Sequence, residues 1–349
     1  MVSDILARVE GAVGRITLNR PKALHALNTA MCAAIIEALQ AWKTDPAVTL
    51  VLIDHAGERG FCAGGDIRML AESGAKDGVE ARAFFFTEYR MNALLMAYEK
   101  PVCAIMDGIV MGGGVGIAMP CRYRVATERT TFAMPETGIG LFPDVGGGWH
   151  LPRLPGEAGL WLALTGARIK AADCLRLGIA TDYVESARVE PLKTAIVADP
   201  AAIETILAEF EAEAGEPSLA QHRDLIDACF AAPSVEAILQ ALREDGSQWA
   251  VAQHDVLLTK SPQTLKVAFR QLRAGKALTD FSANMAMEYR IGARVVSRHD
   301  FIEGVRAVII DKDNAPRWSP ATLEGVTDEV LDAIFAPLPD TEEWTPLPA

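Results

Sequence analysis

Residues 102–148 read VCAIMDGIVMGGGVGIAMPCRYRVATERTTFAMPETGIGLFPDVGGG. Val102–Met106 is an unbroken apolar run, the pattern of a strand buried on both faces. Asp107-Gly108 supplies a turn. Gly112, Gly113 and Gly114 open a helix, and Arg122–Thr127 and Thr131–Met134 read as short strands. The segment then ends in Ala133–Gly148, where Glu136 and Asp144 each follow a proline inside an apolar, glycine-rich run. An acid among Met134, Ile139, Leu141, Phe142 and Val145 is poorly hydrated, which raises a carboxyl pKa.

Working outward, the same alternation recurs. Residues 4–19 form two strands turned at Gly11–Gly14, with Ile16 and Leu18 alternating against Arg15, Thr17 and Asn19. Asn28 reads as the N-cap of a helix whose apolar positions are Met31, Ile35, Ile36 and Leu39. Val48–Asp54 is a second buried strand, followed by a loop with glycines at 57, 60, 64 and 65. Asp66 caps a short helix, and Val79–Lys100 is a long one that Pro101 ends. Strands, glycine loops and helices in alternation indicate an α/β core. Thr181–Val184 is the last core strand. Residues 186–308 are helical in pattern, and the proline-rich end wraps the surface or frays. The expected division is an α/β core over 1–200, then a helical region with a proline-rich tail over 201–349.

The chain has 349 residues, half of them hydrophobic, and a net charge of −13. That balance argues against a general nucleic-acid or membrane-surface binder. No apolar run approaches the ~20 residues of a membrane span. The first twenty residues lack a signal peptide's basic end and apolar core, so a cytoplasmic protein is expected. Six scattered cysteines without a C-x-x-C pair fit a reducing compartment. No histidine pair has metal-ligand spacing.

Two glycine loops, Gly64-Gly65-Asp66 and Gly112-Gly113-Gly114, each follow a buried strand and open a helix. Two backbone N–H groups converging there on one oxygen make an oxyanion hole, and Gly65 and Gly113 are the candidates. The plainer alternative is that the glycines only permit tight turns. The run at Gly112 lacks the last small residue of a dinucleotide fingerprint, and there is no G-x-x-x-x-G-K-[ST]. Glu88 alone would be a surface helix charge; beside Glu136 and Asp144 it is a third candidate acid.

FCAGGDI, MGGGVGIAM and FAMPETGIGLFPDVGGG, in that order, resemble the crotonase (enoyl-CoA hydratase/isomerase) superfamily. Within it, the segment 124–156 and the EYRMN run at Glu88 are similar to the branch that hydrolyses 3-hydroxyisobutyryl-CoA in valine degradation. The resemblance implies a crotonase-like spiral of ββα repeats with a C-terminal helical region, and an acyl-CoA thioester substrate. It implies no cofactor, CoA being part of the substrate, and no metal. It assigns Gly65 and Gly113 to the oxyanion hole, Glu136 and Asp144 to catalysis, and Glu88, Gly113, Glu136 and Asp144 to substrate binding. CoA would run along Lys22, Ala23, His25 and Ala26 and along Ala63, Gly64, Asp66 and Ile67. Hydratases of the superfamily carry a second glutamate at the position of Gly116, so thioester hydrolysis is favoured over hydration. An enoyl-CoA hydratase or isomerase, and a non-catalytic acyl-CoA binder, remain the alternatives. The superfamily often forms trimers or hexamers, so either a homo-oligomer or a C-terminal region folded over its own core is expected.

Overall fold

The computed structural model describes residues 3–348. Its strands are β1 (Ile5–Glu10), β2 (Val13–Leu18), β3 (Leu50–His55), β4 (Gly60–Cys62), β5 (Val102–Met106), β6 (Ile109–Met111), β7 (Tyr123–Ala126), β8 (Thr131–Ala133) and β9 (Asp182–Tyr183). The antiparallel hairpin β1–β2 starts a larger sheet, to which β3, β5, β7 and β9 add in parallel; β4, β6 and β8 form a smaller parallel sheet. The pairs β3–β4, β5–β6 and β7–β8 therefore each give their first member to the large sheet and their second to the small one. This is the expected spiral of ββα repeats.

Alternation along the strands explains the layering. In β3, Val51 and Ile53 enter the main apolar cluster, while Leu50 and Leu52 enter a second cluster on the other face. Helix α1 (Thr29–Lys43) covers the main face; Asn28 caps it by accepting the Met31 N–H at 2.9 Å. Helix α2 (Ile67–Gly74) is capped by Asp66. Helix α3 (Val79–Met96) buries Phe84, Phe85, Glu88, Tyr89 and Asn92, positions three and four apart on one face.

Three sequence expectations need adjustment. Helix α3 stops at Met96 rather than Lys100: Pro101 has no N–H for the Ala97 carbonyl and disfavours helical backbone at Lys100, so the last turn does not form. Gly60–Cys62, read as part of a loop, and Ile109–Met111, given no element, are strands β4 and β6. Both lie between glycine turns, Gly57 to Gly64 and Gly108 to Gly112, whose loop signal covers them. Their consequence is large: the carboxyl ends of neighbouring β4, β6 and β8 deliver Ala63–Asp66, Gly112–Gly114 and Met134–Glu136 side by side.

The C-terminal region closes over the core. Helices α4 (Gly113–Ala118) and α5 (Gly147–His150) belong to the core; α6 (Pro262–Ala277) and α7 (Phe281–Val295) pack on α5, with α7 also along α3. The proline-rich end wraps rather than frays. Trp344 is buried and its indole N–H donates to the Phe86 carbonyl at 3.2 Å. On either side of it, Arg90 on α3 donates to the Thr345 carbonyl at 2.8 Å and Arg290 on α7 pairs with Glu343 at 2.8 Å. All six cysteines are buried free thiols. Among the described residues no helix is long and apolar enough to cross a membrane.

The tail is thus part of the core. Trp344→Ala should lower stability by about 3–5 kcal/mol, the usual cost of truncating a buried aromatic. Urea unfolding measures this, and a loss below ~1 kcal/mol would mean the tail merely lies on the surface.

Candidate active site

The two glycine loops meet because neither carries a side chain. A Cβ at Gly114 would lie 2.4 Å from the Cys62 carbonyl oxygen, and one at Gly112 would lie 3.2 Å from the Gly64 Cα. Gly64 and Gly112 also hold φ angles of 118° and 48°, in the region that disfavours L side chains. The N–H groups of Gly65 and Gly113 donate to nothing among the described residues.

The acids arrive from three directions. Glu88 projects from α3. Glu136 begins a turn of 3-10 helix over Glu136–Ile139, pinned by the Leu141 N–H on the Glu136 carbonyl at 3.0 Å and by the Ser261 N–H on the Thr137 carbonyl at 3.2 Å. Asp144 sits in the loop before α5, where its Oδ2 accepts the Tyr89 hydroxyl at 3.0 Å. Glu88, Glu136 and Asp144 are all 5% exposed or less. The cavity between the loops is lined by these three acids and by apolar Phe84, Phe85, Met111 and Leu141. A Cβ at Gly113 would lie 2.7 Å from Glu88 Oε1, so glycine there also leaves room for the acid.

Burial dominates the electrostatics. It drives the Glu88 and Glu136 carboxyls well above their ordinary range, and the Asp144 charge pushes both further. Burial raises Asp144 itself to about 7, with the Tyr89 hydroxyl pulling the other way. Glu88 Oε1 and Glu136 Oε2 are buried without a hydrogen-bond partner among the described residues. Unsatisfied acids beside unsatisfied N–H groups leave both kinds of group free for a polar ligand.

The structure thus brings together Gly65, Gly113, Glu88, Glu136 and Asp144. Ala63, Gly64 and Ile67 also line the cavity, whereas Lys22, Ala23, His25, Ala26 and Asp66 do not. The segment 20–27 still runs beside the first loop, with the Leu27 N–H on the Gly64 carbonyl at 2.8 Å and the Ala63 N–H on that of Leu24 at 3.0 Å. The His25 ring is turned inward, its Nδ1 accepting the Arg20 N–H at 3.0 Å. Asp66 is occupied as helix cap and in an ion pair with Arg20 at 3.0 Å. At Gly116 an added Cβ would stand 2.6 Å from the Val145 Cβ and 2.7 Å from Asn92 Nδ2. Even the first carbon of an acid there meets occupied space.

Sequence reasoning passed over Tyr89 and the α7 carboxyl Glu288. A signal for Glu288 was present: Glu88-Tyr89-Arg90 recurs as Glu288-Tyr289-Arg290. Both glutamates are buried, the two tyrosine rings pack edge-on at 6.5 Å, and the two arginines clamp the same tail.

A family model described as enoyl-CoA hydratase/isomerase matches residues 13–335. The mitochondrial 3-hydroxyisobutyryl-CoA hydrolase of Danio rerio is 45% identical over 349 residues, spanning 97% of this chain and 91% of that protein. Two solved structures share the whole architecture. A carnitinyl-CoA dehydratase from Mycobacterium thermoresistibile has a TM-score of 0.94 at 42% identity, covering 99% of each chain. An enoyl-CoA hydratase from Rhodobacter sphaeroides 2.4.1 has a TM-score of 0.90 at 39% identity, covering 98% of this chain and 100% of that one.

The raised Asp144 carboxyl makes stability depend on pH. Its pKa is about 7 folded against an ordinary 3.8. The protonated form is therefore favoured in the folded state, and that stabilisation is complete below pH ~4 and lost as pH rises through ~7. Asp144→Asn removes the titration. Its stability advantage over the parent should grow between pH 5 and pH 8, on the order of 2–4 kcal/mol at the upper end. Thermal unfolding at both pH values measures it; a constant difference would contradict the assignment.

Proposed function

The chain belongs to the enoyl-CoA hydratase/isomerase family, and we propose that it hydrolyses 3-hydroxyisobutyryl-CoA to 3-hydroxyisobutyrate and CoA. The observation that carries this reading is the placement of the acids: Glu136 and Asp144 face the paired glycine loops, while Gly116 has no space for an acid. The kinship with the Danio rerio hydrolase supports the same reading.

The thioester oxygen sits on the Gly65 and Gly113 N–H groups, which form the oxyanion hole. Negative charge growing on that oxygen is stabilised there, and losing one such donor costs ~3 kcal/mol. Glu136 then acts in one of two ways. It attacks the carbonyl carbon, expelling CoA thiolate and leaving a mixed anhydride that water hydrolyses. Alternatively it takes a proton from a water that attacks directly. Either route consumes one water and releases the acid and the CoA thiol. Asp144 titrates near neutrality, so it can both take up and return the proton that moves in these steps. Glu88, whose carboxyl burial and the neighbouring Asp144 charge push upward, hydrogen-bonds the 3-hydroxyl through its free carboxyl edge. The CoA chain leaves past Ala63, Gly64 and Ile67 towards the segment 22–26.

The names carried by the two solved structures favour a second reading, hydration or dehydration of an enoyl-CoA. One experiment separates the two: thiol release over a panel of acyl-CoAs, run beside crotonyl-CoA hydration. We expect thiol release with 3-hydroxyisobutyryl-CoA, reduced about 10³-fold or more by Glu136→Gln. Hydration without thiol release would replace the hydrolase reading. Single turnover in oxygen-18 water then distinguishes the routes, since label entering the Glu136 carboxylate requires the anhydride.

A further inference from the structure

Glu288 is a fully buried carboxyl group that lines no part of the cavity. Its Oε2 accepts the Gly146 N–H at 2.8 Å. Its Oε1 accepts the Gly148 N–H at 2.8 Å, the Asn284 amide at 2.8 Å and the Gln271 amide at 3.2 Å. The same Gln271 amide nitrogen donates to the Pro143 carbonyl at 2.7 Å. Four donors converge on the group: two backbone N–H groups and two side-chain amides, all with a carboxyl oxygen as acceptor. These contacts bracket Asp144 on both sides along the chain. Between them, Val145 holds a φ of 52°, a conformation that a β-branched residue adopts only when its surroundings impose it.

We propose that Glu288 is a positioning residue: its carboxyl oxygens clamp Gly146 and Gly148 and so aim the Asp144 carboxyl into the cavity. The clamp stands on geometry alone, while its effect on turnover rests on the hydrolase reading above. It also gives the C-terminal helices a part in the chemistry, since α7 supplies Glu288 and Asn284, and α6 supplies Gln271. Burial and the nearby Asp144 charge push Glu288 up to about 8, and its donors hold it down.

The test uses Glu288→Gln, which keeps the shape but turns an amide N–H towards a backbone N–H. The expected result is a fall in kcat of about 30- to 100-fold with KM for 3-hydroxyisobutyryl-CoA within about threefold of the parent. Hydrogen exchange over residues 143–149 should quicken at least ~tenfold while β3 and β5 keep their protection. A kcat within about threefold of the parent, a loss carried by KM, or unchanged exchange at 143–149 would each overturn the clamp. If Glu288→Gln does not fold, Asn284→Ala decides: it removes one donor, and kcat should fall about threefold with KM unchanged. An unchanged kcat there overturns the proposal. If the parent protein itself releases no thiol, the hydrolase reading fails, and exchange over 143–149 in the two variants alone decides the clamp.

Discussion

Asp144 is the charge that every other acid in the site must live with. Glu88, Glu136, Glu288 and the Tyr89 hydroxyl are all pushed upward by it on top of the effect of burial. Buried carboxylates packed this closely cannot all ionise. The molecule answers with hydrogen bonds where it can: Tyr89 on Asp144, and four donors on Glu288. It leaves Glu88 Oε1 and Glu136 Oε2 unanswered. That unequal provision leaves Glu88 and Glu136 with free carboxyl edges in the cavity, while Glu288 is fully engaged in holding the loop. The stability lost to such a cluster is offset by an apolar core continuous from Ile5 to Trp344.

The smaller sheet turns these separate acids into one site. Parallel β4, β6 and β8 end at the same edge, so three stretches far apart in sequence emerge as neighbours. Glycine sets how near they come, since side chains at 112 or 114 would strike the adjoining loop. The helical half of the chain completes the arrangement. Gly140 and Gly304 let the Asp300 region and the Glu136 turn approach to within reach of a single added carbon. The region after residue 200 thus braces the acid-bearing loops.

Much of this was legible in the sequence, for physical reasons. Strands buried on both faces are unbroken apolar runs, so Val51–Ile53 and Val102–Met106 declare themselves. Asn28 and Asp66 were readable as caps because capping is a local interaction between residues three apart. Glu136 and Asp144 stood out as acids in apolar surroundings. Strands β4 and β6 sit between glycine turns, so they were not visible. Glu288 lay beyond local reasoning, because its partner Gly148 is 140 residues away along the chain. Only the repeated Glu-Tyr-Arg triplet links α7 to α3 in the sequence itself.

The crowding at Gly116 bears on how neighbouring activities could arise from one another. Asn92 and Val145 occupy the volume that a second catalytic acid would need. Asn92 lies on the same α3 face as Glu88, and Val145 adjoins Asp144. A lineage gaining an acid at 116 must first empty that volume, and the residues to be changed abut the existing pair. No single substitution therefore carries this site to a two-glutamate one. An acid gained at 116 thus comes at the expense of Val145 or Asn92, the immediate neighbours of the acids already in place.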